Sequence, residues 1–119
     1  MSVRVGRVYD PASVTDGVRV LVDRLWPRGL TWAKAGLDEW CKHIAPSTEL
    51  RRWYSHDPRR FTEFRRRYQR ELDGPVQAAA LAHLKELASD RPLTLLTASK
   101  DVAISEATVL ANLIDEEPR

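Results

Sequence analysis

One cysteine, Cys41, stands in 119 residues. A lone thiol excludes an internal disulfide and cannot by itself hold zinc. No apolar run approaches the ~18 residues that a membrane span needs. The N-terminal stretch Met1-Ser-Val-Arg-Val-Gly-Arg7 lacks the apolar segment of a signal peptide. These absences predict a soluble cytoplasmic protein with no membrane partner. Also missing are metal-ligand spacing, a phosphate-cradling glycine loop and a Ser-His-Asp order, so neither a metal nor a cofactor is expected. Lysine is scarce too, with four against 15 arginines.

What is present describes a globular chain: 43% hydrophobic residues and four tryptophans, at the commonest domain size, predict one domain over residues 1–119. Net charge is only +2, but residues 51–70 hold eight arginines against Asp57 and Glu63, a local excess of six. Such a segment attracts anions or polyanions. It is equally the solvated helix face of an arginine-rich, alanine-rich composition of the kind codon bias produces.

Val18, Val20 and Val22 alternate with Arg19, Leu21 and Asp23, the period of a pleated strand that stops at Asp23-Arg24 before Pro27 and Gly29. Residues 3–9 predict an earlier strand closed by Asp10-Pro11. Only eight residues, 10–17, separate the two, which favours antiparallel pairing between them. Thr31 is placed to cap a helix carrying Leu37, Trp40, Cys41 and Ile44 on one face and ended by Pro46. Ser47 caps a short helix with Leu50, Trp53 and Tyr54. Asp57-Pro58 opens another, with an apolar stripe of Phe61, Phe64, Tyr68 and Leu72. Gly74-Pro75 precedes a helix burying Leu81, Leu84 and Leu87. Pro92 opens a strand over residues 93–98, and a closing helix carries Ala107, Val109, Leu110, Leu113 and Ile114. The order predicts an α/β fold: a small, mainly parallel sheet of three to four strands covered by about five helices. The long helical link between the valine strand and the last strand predicts that those two lie parallel, with a right-handed crossover.

Parallel neighbours would bring Asp23-Arg24 and Ser99-Lys100-Asp101 to one sheet edge, where ligands of α/β proteins usually sit. Arg24, Arg28 and Lys100 then offer donors to a phosphate or carboxylate, with Asp23 and Asp101 orienting them. The same residues also describe an ion-pair cluster that stitches loops together. His43 and His83 fall within helices, whereas His56 stands at a helix entrance. Cys41, beside Trp40 on an apolar face, is a poor nucleophile.

Three segments carry a resemblance: Val22-Asp-Arg-Leu-Trp-Pro-Arg-Gly29, Ala45-Pro-Ser47 with Leu50-Arg51 and Trp53, and His56-Asp57-Pro58 with Phe64 and Arg67-Tyr68. With them the chain resembles the YeaO-like family of small bacterial proteins, part of a larger domain-of-unknown-function group, over nearly its whole length. Matching positions imply a site at Asp23, Arg24, Trp26, Arg28, Ser47, Arg51, His56, Lys100 and Asp101. Trp26 either walls a pocket or anchors packing beside Pro27. Where family members often carry His-Asn shortly after the last strand, this chain has Ile104-Ser105. That difference removes histidine-dependent chemistry, since neither Ser99 nor Ser105 can act as a general base near neutral pH.

The leading expectation is therefore binding of an anionic small molecule, phosphorylated or carboxylated, at the carboxyl edge of the sheet, with or without catalysis. Two alternatives draw on other features. The arginine-rich helix of residues 58–72 suggests a nucleic-acid partner. Trp32, Trp53 and Tyr54 near helix starts suggest an apolar patch for a homodimer.

Overall fold

The computed structural model describes residues 3–116. Four strands, β1 (Arg4–Arg7), β2 (Val18–Leu21), β3 (Glu39–Trp40) and β4 (Leu93–Thr97), form one sheet in the order β1-β4-β2-β3, with every pair parallel. The helices are α1 (Trp32–Ala35), α2 (Thr48–Tyr54), α3 (Phe61–Glu71), α4 (Pro75–Asp90) and α5 (Glu106–Glu116), linked in places by single 3-10 turns. The fold is a small parallel α/β sheet with helices, as the alternation of patterns predicts. No described helix is long and apolar enough to cross a membrane.

β4 is hydrogen-bonded on both sides and all five of its residues are buried, which accounts for its unbroken apolar character. Its position overturns the expected antiparallel pairing of the first two strands. β4 lies between β1 and β2, and both run parallel to it. The connection does not turn back on itself. It passes through a 3-10 turn at Val14–Asp16, capped by Ser13, and reaches Gly17 with φ of 66°. A Cβ at Gly17 would lie 2.1 Å from the Pro92 carbonyl oxygen. Glycine thus lets β2 start in close register with β4, and the Val18 amide donates to that same oxygen at 2.9 Å.

The helix expected from Thr31 to Pro46 is also corrected. Thr31 does cap, accepting from the Lys34 amide, but α1 ends after one turn at Gly36, whose φ of 60° is left-handed. The chain then becomes the edge strand β3, with the Asp38 amide donating to Arg19 O at 2.9 Å and the Cys41 amide to Leu21 O at 2.8 Å. Leu37 and Ile44 are buried as expected, though from a loop and a 3-10 turn rather than from one helix face.

Arg19 lies inside β2 at 5% exposure. Its guanidinium is satisfied by Asp16 Oδ2 at 2.7 Å and by the carbonyls of Gly36 and Ala35 at 3.0 Å each, so it ties α1 and the preceding turn onto the strand. On the other side of β2 the main core gathers Val20, Leu95, Ile44, Leu50, Tyr54, Phe64, Tyr68, Leu84, Leu110 and Ile114. The predicted stripe of α3 supplies Phe64 and Tyr68 to it, and Tyr54 from α2 completes a stack, Tyr54 on Phe64 at 4.1 Å and Phe64 on Tyr68 at 5.7 Å. Buried Tyr68 satisfies its hydroxyl by donating to Ile44 O at 2.6 Å. A smaller cluster of Val8, Leu21, Ala35, Leu37 and Leu96, with Trp26 and Trp40 packed on it, lies apart from the main core.

Candidate functional site

Because all four strands are parallel, their carboxyl ends share one edge, and the segments leaving β1, β2 and β4 converge there. The junction is held by Asp23. Its carboxylate accepts from Thr97 Oγ1 and from the Ala98 amide, each at 2.8 Å, and its own carbonyl accepts from the Trp40 indole at 2.7 Å. One residue thereby joins the ends of β2, β3 and β4. Glu106, the first residue of α5, hydrogen-bonds the Asp23 carboxyl. Burial, followed by that carboxyl neighbour, pushes the Glu106 carboxyl well above its ordinary range, against the opposing pull of Arg51. The Glu106 carboxyl therefore holds its proton more tightly than an exposed glutamate does.

This pair opens into a cleft of about 760 Å³. Arg24 lines it and is fixed by the Ala45 and Pro46 carbonyls, accepting its Nη2 at 3.2 and 3.3 Å. Arg28 arrives from the loop after β2, and Arg51 and Arg52 from α2. α2 ends in two consecutive left-handed residues, Ser55 at φ 47° and His56 at φ 54°. Neither is glycine, so each is a sparsely populated conformation that the surroundings must impose. The turn sets His56 at the cleft.

Over residues 2–119 the chain matches the family described as the "Inactive DUF488-N3 subclade". An uncharacterized protein of Mycobacterium tuberculosis H37Rv is 50% identical over 113 residues, covering 95% of this chain and 93% of its own. Uncharacterized protein YeaO of Escherichia coli K12 is 44% identical over 112 residues, covering 94% of this chain and 96% of its own. The chain belongs to the DUF488-N3 subclade, as a YeaO-like protein. No solved structure matches it.

The positions that mark this DUF488-N3 chain divide in the structure. Asp23, Arg24, Trp26, Arg28, Arg51, His56 and Ser99 all line the one cleft. Trp26 also anchors packing: its indole donates to Leu30 O at 2.6 Å, it stacks on Trp32 at 5.7 Å, and it meets Trp40 edge-on at 5.3 Å. Ser47 lies outside the lining. It caps α2 through Leu50 N and is itself held by Glu71, through its hydroxyl at 2.6 Å and its amide at 2.8 Å. Lys100 and Asp101 are exposed and also lie outside the lining.

Arg52, Glu106 and Tyr9 are among the lining residues that the sequence reading did not single out. Glu106 resembles an ordinary acidic residue in a helix's first turn, and only the fold brings it to Asp23. Tyr9 follows β1 and fixes its hydroxyl on Arg28 O at 2.9 Å. At the position where relatives of the family often carry His-Asn, Ser105 is 2% exposed and donates its hydroxyl to Val102 O at 2.7 Å. Cys41 is half-buried and its thiol is pushed up to about 11, mainly by burial, which keeps it unreactive. Tyr54 is buried, and Trp53 lies between the guanidiniums of Arg60 and Arg67, so these two rings do not form an open apolar patch with Trp32. Among the described residues no group of three or more His, Cys, Asp or Glu side chains is arranged for a metal ion.

Proposed function

We propose that this chain binds a small anionic molecule, phosphorylated or carboxylated, in the cleft at the carboxyl edge of its sheet, and that it acts by binding rather than by catalysis. The observation that carries this reading is the state of the cleft arginines. Arg24, Arg28, Arg51 and Arg52 line one cavity, and none forms an ion pair with a carboxylate among the described residues. Unpaired guanidiniums gathered in a concave site create a positive potential suited to bidentate recognition of phosphate or carboxylate.

Binding without chemistry is supported by the residues around them. Ser105 replaces the family's frequent His-Asn segment in part and has spent its proton on a backbone carbonyl. The family's description as an inactive subclade points the same way for this chain. Calorimetric titration with inorganic phosphate and with citrate tests the reading. Saturable binding that weakens with Arg51→Ala is expected; no saturable binding of either at millimolar concentration would sink it.

The nucleic-acid alternative rests on residues 58–72, most of whose arginines are already paired or stacked. Arg59 is paired with Asp57, and Arg66 and Arg67 with Glu63, while Arg65 lies over the Phe61 ring. Those contacts compete with a phosphate backbone for the same guanidiniums.

A further inference from the structure

The anion-binding reading leaves the acidic part of the cleft without a role. Two carboxyl groups line a cavity otherwise rich in arginine, and an anion laid against them would be repelled. What they offer is settled by their hydrogen bonds. Each oxygen of Asp23 already accepts one bond, from Thr97 or from Ala98, and a carboxylate oxygen has capacity for a second, so that one position stays open once Glu106 has taken the other. Glu106 bonds to Asp23, which leaves its other oxygen as an acceptor. Ser105 has given its hydroxyl proton to Val102 O, so toward the cleft it too can only accept. Tyr54 has likewise given its proton, to Ile104 O at 2.8 Å.

These groups form a surface of acceptors with no donor to spare. Its natural complement is a set of hydrogen-bond donors. A hydroxylated ligand supplies these without adding charge. An ammonium group also donates, but it would enter beside four guanidiniums opposed by only two carboxyl groups, so the local field disfavours it.

We propose that the cleft takes a phosphorylated sugar, with its phosphate on the arginines and its hydroxyls on the acceptor surface formed by Asp23, Glu106 and Ser105. This inference rests on the anion-binding reading and adds the chemical class of the ligand. The cavity, about 760 Å³, lies within the usual range for small-molecule sites.

The test uses the intact chain and four phosphates of graded chemistry, titrated calorimetrically: inorganic phosphate, propyl phosphate, phosphoethanolamine and ribose 5-phosphate. Ribose 5-phosphate is expected to bind about tenfold tighter than propyl phosphate, the worth of one net hydrogen bond to a charged acceptor. In Glu106→Ala that ratio falls to near unity. Should this variant fail to fold, the comparison of ligands on the unaltered chain decides alone. Equal affinity for propyl phosphate and ribose 5-phosphate, or tightest binding of phosphoethanolamine, overturns the sugar assignment while leaving anion binding intact. Failure of all four to bind overturns both.

Discussion

The arginines of this protein fall into two regions that look alike in sequence and behave differently in the fold. Most of those of the Pro58 turn and α3 are paired with a carboxylate or stacked on a ring. Arg59 meets Asp57 at 3.0 Å, Arg67 meets Glu63 at 2.9 Å, and Arg67 also lies 4.1 Å from the centre of the Trp53 ring. Those of the cleft, Arg24, Arg28, Arg51 and Arg52, have no carboxylate partner among the described residues, although two acids line the same cavity. The two acids are occupied with each other and with β4. A count of charges along the chain favours the first region, yet it is in the second that arginines without a carboxylate partner gather around a cavity. Local density of arginine is thus a poor guide to a site, and the partners of each guanidinium are a better one.

That contrast can be broken most severely at Arg19, the most committed arginine of all. Arg19→Ala removes the ion-pair partner of Asp16 and the donor to the Gly36 and Ala35 carbonyls beneath α1, and is expected to cost about 3–5 kcal/mol, as for breaking a buried ion pair, read from urea unfolding. An effect no larger than that of a surface substitution would show that the buried guanidinium is dispensable.

Next comes Arg51→Ala. It is expected to lower phosphate affinity by about tenfold through loss of a charge-assisted bond, with stability within about 0.5 kcal/mol of the unaltered chain. Smaller still is Arg67→Ala. Loss of its stacking on Trp53 and its exposed pair with Glu63 is expected to cost about 0.5–1 kcal/mol and to leave phosphate affinity unchanged. If Arg67→Ala weakened phosphate binding as much as Arg51→Ala, the two regions would not be functionally distinct.

The acid pair gives a test by pH. Glu106 carries a folded-state affinity for its proton above that of the unfolded chain, so the folded state binds more protons across the interval between the two values. The stabilisation linked to this proton is complete below the ordinary glutamate range and is lost as pH rises through the raised value. Thermal unfolding followed from pH 4.5 upward is expected to show this decline, and Glu106→Gln is expected to flatten it. Asp16 shifts the other way, held low by the Ser13 amide and by Arg19, so its stabilisation is present above the ordinary carboxyl range and fades on acidification. Parallel profiles for Glu106→Gln and the unaltered chain would argue against a proton held at this carboxyl.

Much of the fold was legible because its signals are local. Ser47 and Asp57 cap where their side chains allow, Gly74-Pro75 starts α4, and the stripe Phe64-Tyr68-Leu72 is buried as its spacing requires. The strand partners were not legible in the same way. Nothing in residues 3–22 announces that a strand more than seventy residues later will lie between β1 and β2. The helix expected over residues 31–46 fails for a different reason. Gly36 stops it after one turn, and β3 then gains backbone bonds to β2 that no helical period can encode. At the site, Asp23 and Arg24 stood out because charge at the end of an apolar run is conspicuous, whereas Arg51 stood out only through the family resemblance. Glu106 did not, since its significance depends on the distance to Asp23 in space rather than on anything in its own segment.

The central place of β4 also has a consequence for biogenesis. As the chain is synthesised, β2 and β3 emerge early with only two paired positions between them, and β1 emerges with no strand beside it. The strand that completes both neighbours is the last of the four to be made. Until residues 93–97 clear the ribosome, the apolar faces of the first helices have only a fragment of sheet to rest on, and the nascent chain must stay unassembled for most of its translation.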